Sequence, residues 1–253
     1  EKKAYLILVL FFSLLLVFLL RQNIRTGFLT RLPFGQESSF GSEKLLYKEL
    51  NEGGKIVYTE WNAYARTDVL EVKGADSKAI FTDGGAVTEM IKFDGDFYKI
   101  ASLTKEVGFF PFFFGDKEKV LVIGPGGGRE VLYALMGGSK KITAVEINPA
   151  IVRAVRKFSH FNGGIYDYRN VEVVVDEGRS FVRRSNEKYD IIYLPLVYSD
   201  AAGKVGFSLI ENYIFTTEAF SDYLNHLTKN GRLVIKLHDF ADLTKAYTTA
   251  LTV

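Results

Sequence analysis

From Lys119 onward, five short apolar runs alternate with segments long enough to form helices. The runs are KVLVIG, KITAVEI, VEVVVD, YDIIYLPL and GRLVIKL. Strands that are apolar on both faces are typical of parallel sheets, because the helices that return the chain between parallel strands cover both faces. This alternation therefore predicts an α/β domain built on a doubly wound, Rossmann-like parallel sheet.

The segments between these runs carry signals for the ends of helices. GREVLYALMGG closes on glycines, NPAIVRAVRKFS opens with Asn-Pro, and TTEAFSDYLNHLTKNG closes on Asn-Gly. Glycine is favoured just after a helix because it adopts the left-handed conformation, and proline is favoured in the first turn because its missing N–H is not needed there. We therefore expect three helices here, the last ending near Gly231, and a further helix after the fifth strand.

The first strand runs into VLVIGPGGGREV, which has four glycines within five positions. They are Gly124, Gly126, Gly127 and Gly128. The dinucleotide fingerprint G-x-G-x-x-G, placed on the first two, requires a glycine where Arg129 stands. The spacing G-x-G-x-G fits instead, and it lets a ligand approach the backbone beside the free N–H groups of a helix. The loop therefore predicts a binding turn that is not a dinucleotide fingerprint.

Acidic residues end the second and third strands of the predicted sheet. Glu146 lies in ITAVEINP, where a carboxylate accepts hydrogen bonds from ribose hydroxyls. Asp176 and Glu177 follow the third strand in VVVDEGRSF, where one accepts from an adenine amino group or, alternatively, the pair only caps a helix. Ligands of open α/β sheets bind at the carboxyl ends of the strands. The glycine loop and these three acidic residues together favour an S-adenosylmethionine-type nucleoside over a dinucleotide as the ligand.

The sequence divides the chain into four parts. Residues 1–22 are expected to form a transmembrane helix, residues 23–54 a linker with a short helix near its end, and residues 55–100 a small β domain. The β domain is predicted from KIVYTEW, ARTDVLEVK and KAIFTDGG, which are short runs separated by turn residues, as in an antiparallel sheet. Residues 101–253 form the Rossmann-like domain, which we expect to be truncated at its C-terminal end because sheets of this class have further strands.

Residues 4–20 read AYLILVLFFSLLLVFLL and are at the short end of what spans a bilayer. A signal peptide has a shorter apolar centre followed by a small-residue cleavage site, whereas this run continues into RQNIRTGFLTR. We therefore expect an uncleaved helix that crosses the inner or plasma membrane; a signal peptide and a buried core helix are the alternatives. The arginines after the helix place the following domain in the cytoplasm.

The composition excludes several kinds of chemistry. The 253 residues include no cysteine and three histidines, so disulfides, thiolate zinc sites and a cysteine nucleophile are excluded, and we expect no metal. A net charge of +2 with 25% charged residues gives no electrostatic indication of nucleic-acid binding. We therefore expect a small-molecule acceptor and no nucleic-acid partner.

With these residues in place, the chain resembles the spermidine synthase-like branch of the class I S-adenosylmethionine-dependent transferases, and within it the membrane-attached members. The resemblance rests on VLVIGPGGGREV, ITAVEINP, VVVDEGRSFV, YDIIYLPL and ENYIFTTEAFSDYLNHLTKNGRLVI. It implies a methyltransferase-type sheet, S-adenosylmethionine or its decarboxylated form as cofactor, and aminopropyl transfer to an amine in polyamine biosynthesis. It also implies cofactor contacts at Gly124, Gly126, Gly128, Glu146, Asp176 and Glu177. A homodimer is left open.

The segment after the fourth strand departs from the family's pattern. Aminopropyltransferases carry Asp-x-x-Asp there, and these acids hold the attacking amine and help to deprotonate it. Aligned on its Tyr-Asp start, YDIIYLPLVYSD places Pro195 and Tyr198 at those positions. Asp200 and Tyr198 are therefore candidates for a base or orienting group, with Glu211 of SLIENY as a third. The alternative is that Asp200 begins a turn and Glu211 caps a helix.

The sequence thus predicts a membrane-anchored transferase that moves an aminopropyl group from a sulfonium to an amine. Direct displacement at a sulfonium-bound carbon proceeds largely through positioning and desolvation. The missing acids leave methyl transfer to an unknown substrate open. The alternative that is not an enzyme is a nucleoside-binding module of a membrane protein that has no catalytic activity.

Overall fold

A computed structural model describes residues 2–26, 44–196, 213–237 and 240–253. The described residues form two β-sheets with helices around them. The strands are β1 (Lys55–Trp61), β2 (Arg66–Glu71), β3 (Ser77–Thr82), β4 (Ala86–Ile91), β5 (Lys119–Ile123), β6 (Lys141–Glu146), β7 (Val171–Val175), β8 (Tyr189–Pro195) and β9 (Leu227–Lys236). The helices are α1 (Lys2–Thr26), α2 (Leu45–Asn51), α3 (Arg129–Met136), α4 (Pro149–Lys157), α5 (Ser159–Asn162), α6 (Gly178–Arg184), α7 (Thr217–Asn225) and α8 (Phe240–Ala250).

Strands β5 to β9 form a parallel sheet in the order β7-β6-β5-β8-β9. The chain starts at the central strand, builds outward on one side, and then crosses to the other side between β7 and β8, so the sheet is doubly wound. All of β8 is buried, as is all of β5 except Lys119, because helices pack on both faces. The predicted fold class is confirmed.

The helices follow the sequence signals with one exception. Asn148 caps α4 by accepting a backbone N–H of the first turn at 3.0 Å, and α3 ends before Gly137. The prediction that α7 continues to the Asn-Gly pair near Gly231 is wrong, since the helix ends at Asn225. Leu227 already pairs with β8, and the Asn-Gly pair lies where the register of β9 shifts against that strand. Pairing with a buried strand outweighs the local turn signal.

Strands β1 to β4 form an antiparallel sheet in sequence order. The first three strands match the predicted runs, whereas β4 was not predicted because its solvent-facing positions interrupt the apolar pattern. Asp83, Gly84 and Gly85 connect β3 to β4, and the first two have φ values of 50° and 70°. This Asp-Gly pair in the left-handed region is a typical hairpin turn.

The two sheets share one hydrophobic core. Val69, Ile80 and Met90 of the small sheet pack in the same buried cluster as Val120 and Val122 of β5. Helix α2, which overlaps the short helix predicted near the end of the linker, covers the opposite face of the small sheet. The hydrophobic core therefore extends across the domain boundary predicted at residue 100.

Helix α1 contains an 18-residue apolar stretch, Tyr5–Gln22, with a mean hydropathy of 2.3 and none of it buried against the rest of the protein. Its 25 residues extend about 37 Å at the helical rise of 1.5 Å per residue. By length and composition this helix is sufficient to cross the roughly 30 Å hydrocarbon core of a bilayer.

Candidate active site

The carboxyl ends of β5, β6 and β7 bring the predicted binding residues to one edge of the parallel sheet. The glycine loop, residues 124–128, follows β5, Glu146 ends β6, and Asp176 follows β7. Backbone hydrogen bonds join the three segments. The Gly124 N–H donates to the Val145 carbonyl at 2.8 Å, and the Asp176 N–H donates to the Glu146 carbonyl at 3.1 Å.

Glu146 is a buried carboxylate held by two backbone N–H groups. Its Oε2 accepts from Gly126 at 3.1 Å and its Oε1 accepts from Asn148 at 3.0 Å, while 4% of the residue is exposed. Burial raises the pKa of this carboxyl group, and the N–H donors lower it by less. A carboxylate has about four acceptor positions, so these donors leave room for a hydrogen bond from a ligand hydroxyl. The arrangement fits the predicted ribose contact.

Three glycines of the loop adopt the left-handed conformation. The φ values are 76° at Gly124, 53° at Gly126 and 94° at Gly128. A residue with a Cβ is strained in this region, so the sharp passage from β5 into α3 requires glycine. Gly128 is the N-cap of α3, and the N–H groups of the first turn of this helix face the same edge as Glu146.

The small sheet and a tyrosine clamp the glycine loop. The Gly127 N–H donates to Thr88 Oγ1 at 3.0 Å, and the Tyr166 hydroxyl donates to the Gly126 carbonyl at 2.7 Å. A Cβ on Gly127 would lie 2.0 Å from the Glu89 carbonyl oxygen of β4. Gly127 therefore allows β4 of the small sheet to pack directly against the backbone of the glycine loop.

Asp176 and Glu177 both take part in local structure. The two carboxylate oxygens of Glu177 cap α6 by accepting from the N–H groups of Arg179 and Ser180 at 2.9 and 2.7 Å. Asp176 accepts from the Glu177 N–H at 2.8 Å and forms an ion pair with Arg184. The helix cap, which was the alternative interpretation, is present, and adenine recognition by this pair stays a prediction.

Arg129, the residue that excludes the dinucleotide fingerprint, ties α3 to the chain segments before the parallel sheet. Its guanidinium donates to Glu106 at 2.7 Å and forms an ion pair with Glu89 of β4. Tyr133, one turn later, donates its hydroxyl to Glu106. Burial acts to raise the pKa of Glu106, but the hydrogen bonds from Tyr133 and Arg129 outweigh it and the pKa is lowered.

Glu130 is a second buried carboxylate at this edge. It is 6% exposed, and its Oε1 lies 3.9 Å from the ammonium of Lys236 at the end of β9. Burial raises the pKa of Glu130, and the nearby Lys236 lowers it by less. Tyr193 of β8 lies on the same face of the sheet, with its hydroxyl donating to the Gly108 carbonyl at 2.9 Å.

Residues 101–249, more than half of the chain, match the family model described as the spermine/spermidine synthase domain. The chain belongs to this family. The polyamine aminopropyltransferase of Sulfolobus acidocaldarius is 29% identical over 123 residues, which are 47% of this chain and 38% of that protein. That of Buchnera aphidicola is 33% identical over 125 residues, 47% of this chain and 40% of that protein. The matches thus span about two fifths of these curated relatives.

Solved structures of spermidine synthases share the fold of this family member. One, in complex with the transition state analogue AdoDATO, aligns with a TM-score of 0.57 at 20% identity, covering 79% of this chain and 63% of that one. The spermidine synthase of Thermotoga maritima aligns with a TM-score of 0.58 at the same identity and coverage. At this identity the likeness concerns the fold alone.

The candidate catalytic residues of this spermine/spermidine synthase family member, Tyr198, Asp200 and Glu211, lie outside the described residues. Pro195, which stands at the first position of the family's acidic pair, ends β8 and pairs in register with Lys236. Within the described ranges, no group of three or more His, Asp or Glu side chains is placed to hold a metal ion.

The sequence did not single out three residues that shape this edge of the sheet. Thr88 comes from the unpredicted strand β4, and Tyr166 was one of several aromatics between α4 and β7. Glu130 had a signal, since it follows the glycine loop directly in the first turn of a predicted helix. Only the fold shows that its side chain is buried between α3 and β9.

Proposed function

We propose that this chain is a membrane-anchored transferase. It binds S-adenosylmethionine or its decarboxylated form at the carboxyl edge of the parallel sheet and transfers an aminopropyl group from the decarboxylated form to an amine. The observation that carries the proposal is the buried Glu146 carboxylate, tied to the Gly126 N–H at 3.1 Å, in a chain of the spermine/spermidine synthase family. A small-molecule amine is the acceptor, and no metal or nucleic acid takes part.

The nucleoside site is assigned to the predicted residues at this edge. Glu146 accepts hydrogen bonds from the ribose hydroxyls through the acceptor positions that Gly126 and Asn148 leave open. The Asp176-Glu177 pair lies one strand away, where the adenine amino group donates to one of its carboxylates. The loop glycines Gly124, Gly126, Gly127 and Gly128 shape the turn beside which the sulfonium tail lies.

The transfer is a displacement at carbon. The lone pair of the neutral acceptor amine forms an N–C bond to the carbon next to the sulfonium, the S–C bond breaks, and its electron pair goes to sulfur, leaving a neutral thioether nucleoside. The proton lost by the amine goes to a base, for which Asp200 is our first candidate, with Tyr198 and Glu211 as orienting groups or alternative bases. These roles rest on sequence position.

A second candidate function is methyl transfer from S-adenosylmethionine. The observation that favours it is Pro195, which occupies the buried end of β8 and provides no carboxylate to hold a cationic amine at a position where aminopropyltransferases have one. A non-catalytic nucleoside-binding module is the remaining alternative. Both use the same nucleoside site, and the products distinguish them.

Anchoring is assigned to helix α1. Residues 4–20 contact the lipid bilayer, and the domain that follows faces the cytoplasm; a homodimer is compatible with this arrangement. The unburied apolar stretch Tyr5–Gln22 supports the anchor, since an exposed helix of this hydropathy requires apolar surroundings.

The test uses the full chain reconstituted in lipid nanodiscs and supplied separately with the two donors and 1,4-diaminobutane. Formation of 5′-methylthioadenosine from decarboxylated S-adenosylmethionine, dependent on the diamine and detected by mass spectrometry, supports aminopropyl transfer. Formation of S-adenosylhomocysteine from S-adenosylmethionine with a membrane extract overturns it in favour of methyl transfer. Binding of either donor without any product overturns it in favour of the non-catalytic module.

A further inference from the structure

Glu130 in the first turn of α3 and Lys236 at the end of β9 form an open ion pair. The closest approach of the two groups is 3.9 Å, beyond the 2.7 to 3.2 Å of an N–H···O hydrogen bond. By contrast, Arg129, the residue before Glu130 on α3, contacts Glu106 at 2.7 Å. A pair that only stabilised the packing of α3 on β9 is expected to close as that neighbouring pair does.

The two members of the pair differ in their access to solvent. The side chain of Glu130 is 7% exposed, while that of Lys236 is 39% exposed. The solvent-exposed side of the pair is therefore the side on which the lysine lies. A buried carboxylate is costly to ionise, and it is stabilised by any cation that approaches more closely than Lys236 does.

The position of the pair matches the acceptor side of the proposed reaction. Lys236 is in register with Pro195, the last residue of β8, and the segment that follows Pro195 carries Tyr198 and Asp200. Glu130 is two residues beyond Gly128, the end of the glycine loop. The pair thus lies close to the glycine loop in the chain and in register with the end of β8.

We propose that the Glu130 carboxylate binds the ammonium end of the acceptor amine, which takes the place that Lys236 holds at longer range. This assignment rests on the proposed amine acceptor and supplies a carboxylate at a site where Pro195 provides none. The charged groups around Glu130 are Lys236, Arg129 and Glu106, with the tyrosines Tyr166 and Tyr193 also close enough for their pKa values to respond to it.

The test measures calorimetric binding of 1,4-diaminobutane to the full chain in nanodiscs saturated with 5′-methylthioadenosine. Glu130→Gln is expected to weaken diamine binding about tenfold to a hundredfold, because it removes a charged acceptor. Lys236→Met is expected to strengthen it several-fold, because it removes the competing cation. Opposite changes in diamine affinity support the inference, since loss of a purely structural ion pair would change the affinity of both variants in the same direction.

Glu187→Gln is the matched control. This acid forms ion pairs with Lys119 and Lys141 at the opposite, amino-terminal edge of the same sheet and should leave diamine binding unchanged. Weaker binding in both pair variants, or an unchanged affinity in Glu130→Gln, overturns the inference, as does a wild-type protein that binds the nucleoside but no diamine. Failure of the wild type to bind 5′-methylthioadenosine overturns the proposed function instead.

Discussion

The carboxylate of Glu146 accepts a hydrogen bond from the backbone N–H of Gly126 at 3.1 Å, which joins the end of β6 to the loop that follows β5. The Gly126 carbonyl accepts in turn from the Tyr166 hydroxyl at 2.7 Å. The residue that is proposed to bind the ribose therefore also holds the loop beside it. One side chain couples the shape of the glycine loop to the recognition of the nucleoside.

Glu146→Gln is expected to weaken binding of 5′-methylthioadenosine about tenfold or more, because an amide has one acceptor oxygen where the carboxylate has two and turns an NH2 group toward a donor. Isothermal titration calorimetry on the full chain measures the change. Glu172→Gln, at an exposed position of β7, is the control and should bind as the wild type does. Equal affinities in the two variants would remove Glu146 from the nucleoside site.

Gly127→Ala is expected to lower the free energy of unfolding by about 3 kcal/mol, at the upper end of overpacking effects. Its Cβ meets the Glu89 carbonyl at 2.0 Å, and backbone atoms of a paired strand have little room to move. Gly138→Ala is the comparison: its φ is 81° with no atom within 4 Å, so it should cost only about 1 kcal/mol of backbone strain. Urea unfolding followed by circular dichroism measures both, and a smaller effect at Gly127 would contradict the observed contact with β4.

Glu130→Gln and Glu106→Gln should change the pH dependence of stability in opposite directions. The pKa of Glu130 is raised in the folded protein, so its ionisation costs stability as pH rises above the unfolded value of about 4.3. Glu130→Gln should therefore gain thermal stability relative to the wild type between about pH 4.3 and pH 8. The pKa of Glu106 is lowered, so its contribution is present above that unfolded value and is lost as pH falls through the folded value.

Differential scanning fluorimetry from about pH 3 to pH 8 checks this pair of variants across the unfolded pKa. Glu106→Gln should be less stable than the wild type at neutral pH, and the difference should shrink on acidification. Parallel curves for both variants would mean that neither carboxyl group has a shifted pKa. Glu130 lies on α3 and Glu106 contacts the same helix through Arg129, so each variant is a control for the other.

Removal of residues 2–26 should release the protein from membranes. The full chain is expected to remain in the pellet after alkaline carbonate extraction, because the exposed stretch Tyr5–Gln22 has a mean hydropathy of 2.3. The truncated chain should appear in the supernatant and still bind 5′-methylthioadenosine, since α1 contributes no residue to the candidate site. Extraction of the full chain by carbonate would show that α1 does not span the bilayer.

The parallel sheet was predictable because its information is local. Its strands contain apolar runs, and α3 and α4 have end signals, so periodicity identifies these elements. The predictions were wrong or incomplete where a partner decided the outcome. Strand β4 became a strand by pairing with β3, and Leu227 joined β9 by pairing with Tyr189 rather than extending α7.

Some residues of the candidate site could likewise be identified from the sequence, and others could not. Glu146 and Asp176 were identified because the carboxyl ends of parallel strands meet at one edge, which follows from strand order alone. Thr88 and Glu89 were not identified, since their contact with the glycine loop crosses from one sheet to the other and no short-range pattern encodes it.

The sequence by itself determined the class of fold, the apolar helix and the glycine-and-acid pattern of a nucleoside site, because each depends on residues close together in the chain. Tertiary structure decided which residues the glycines contact and which acidic side chain caps a helix. It also decided that Glu130 is buried opposite Lys236. These outcomes depend on burial and on contacts between distant segments. Both are properties of the packed molecule and not of any single stretch of its sequence.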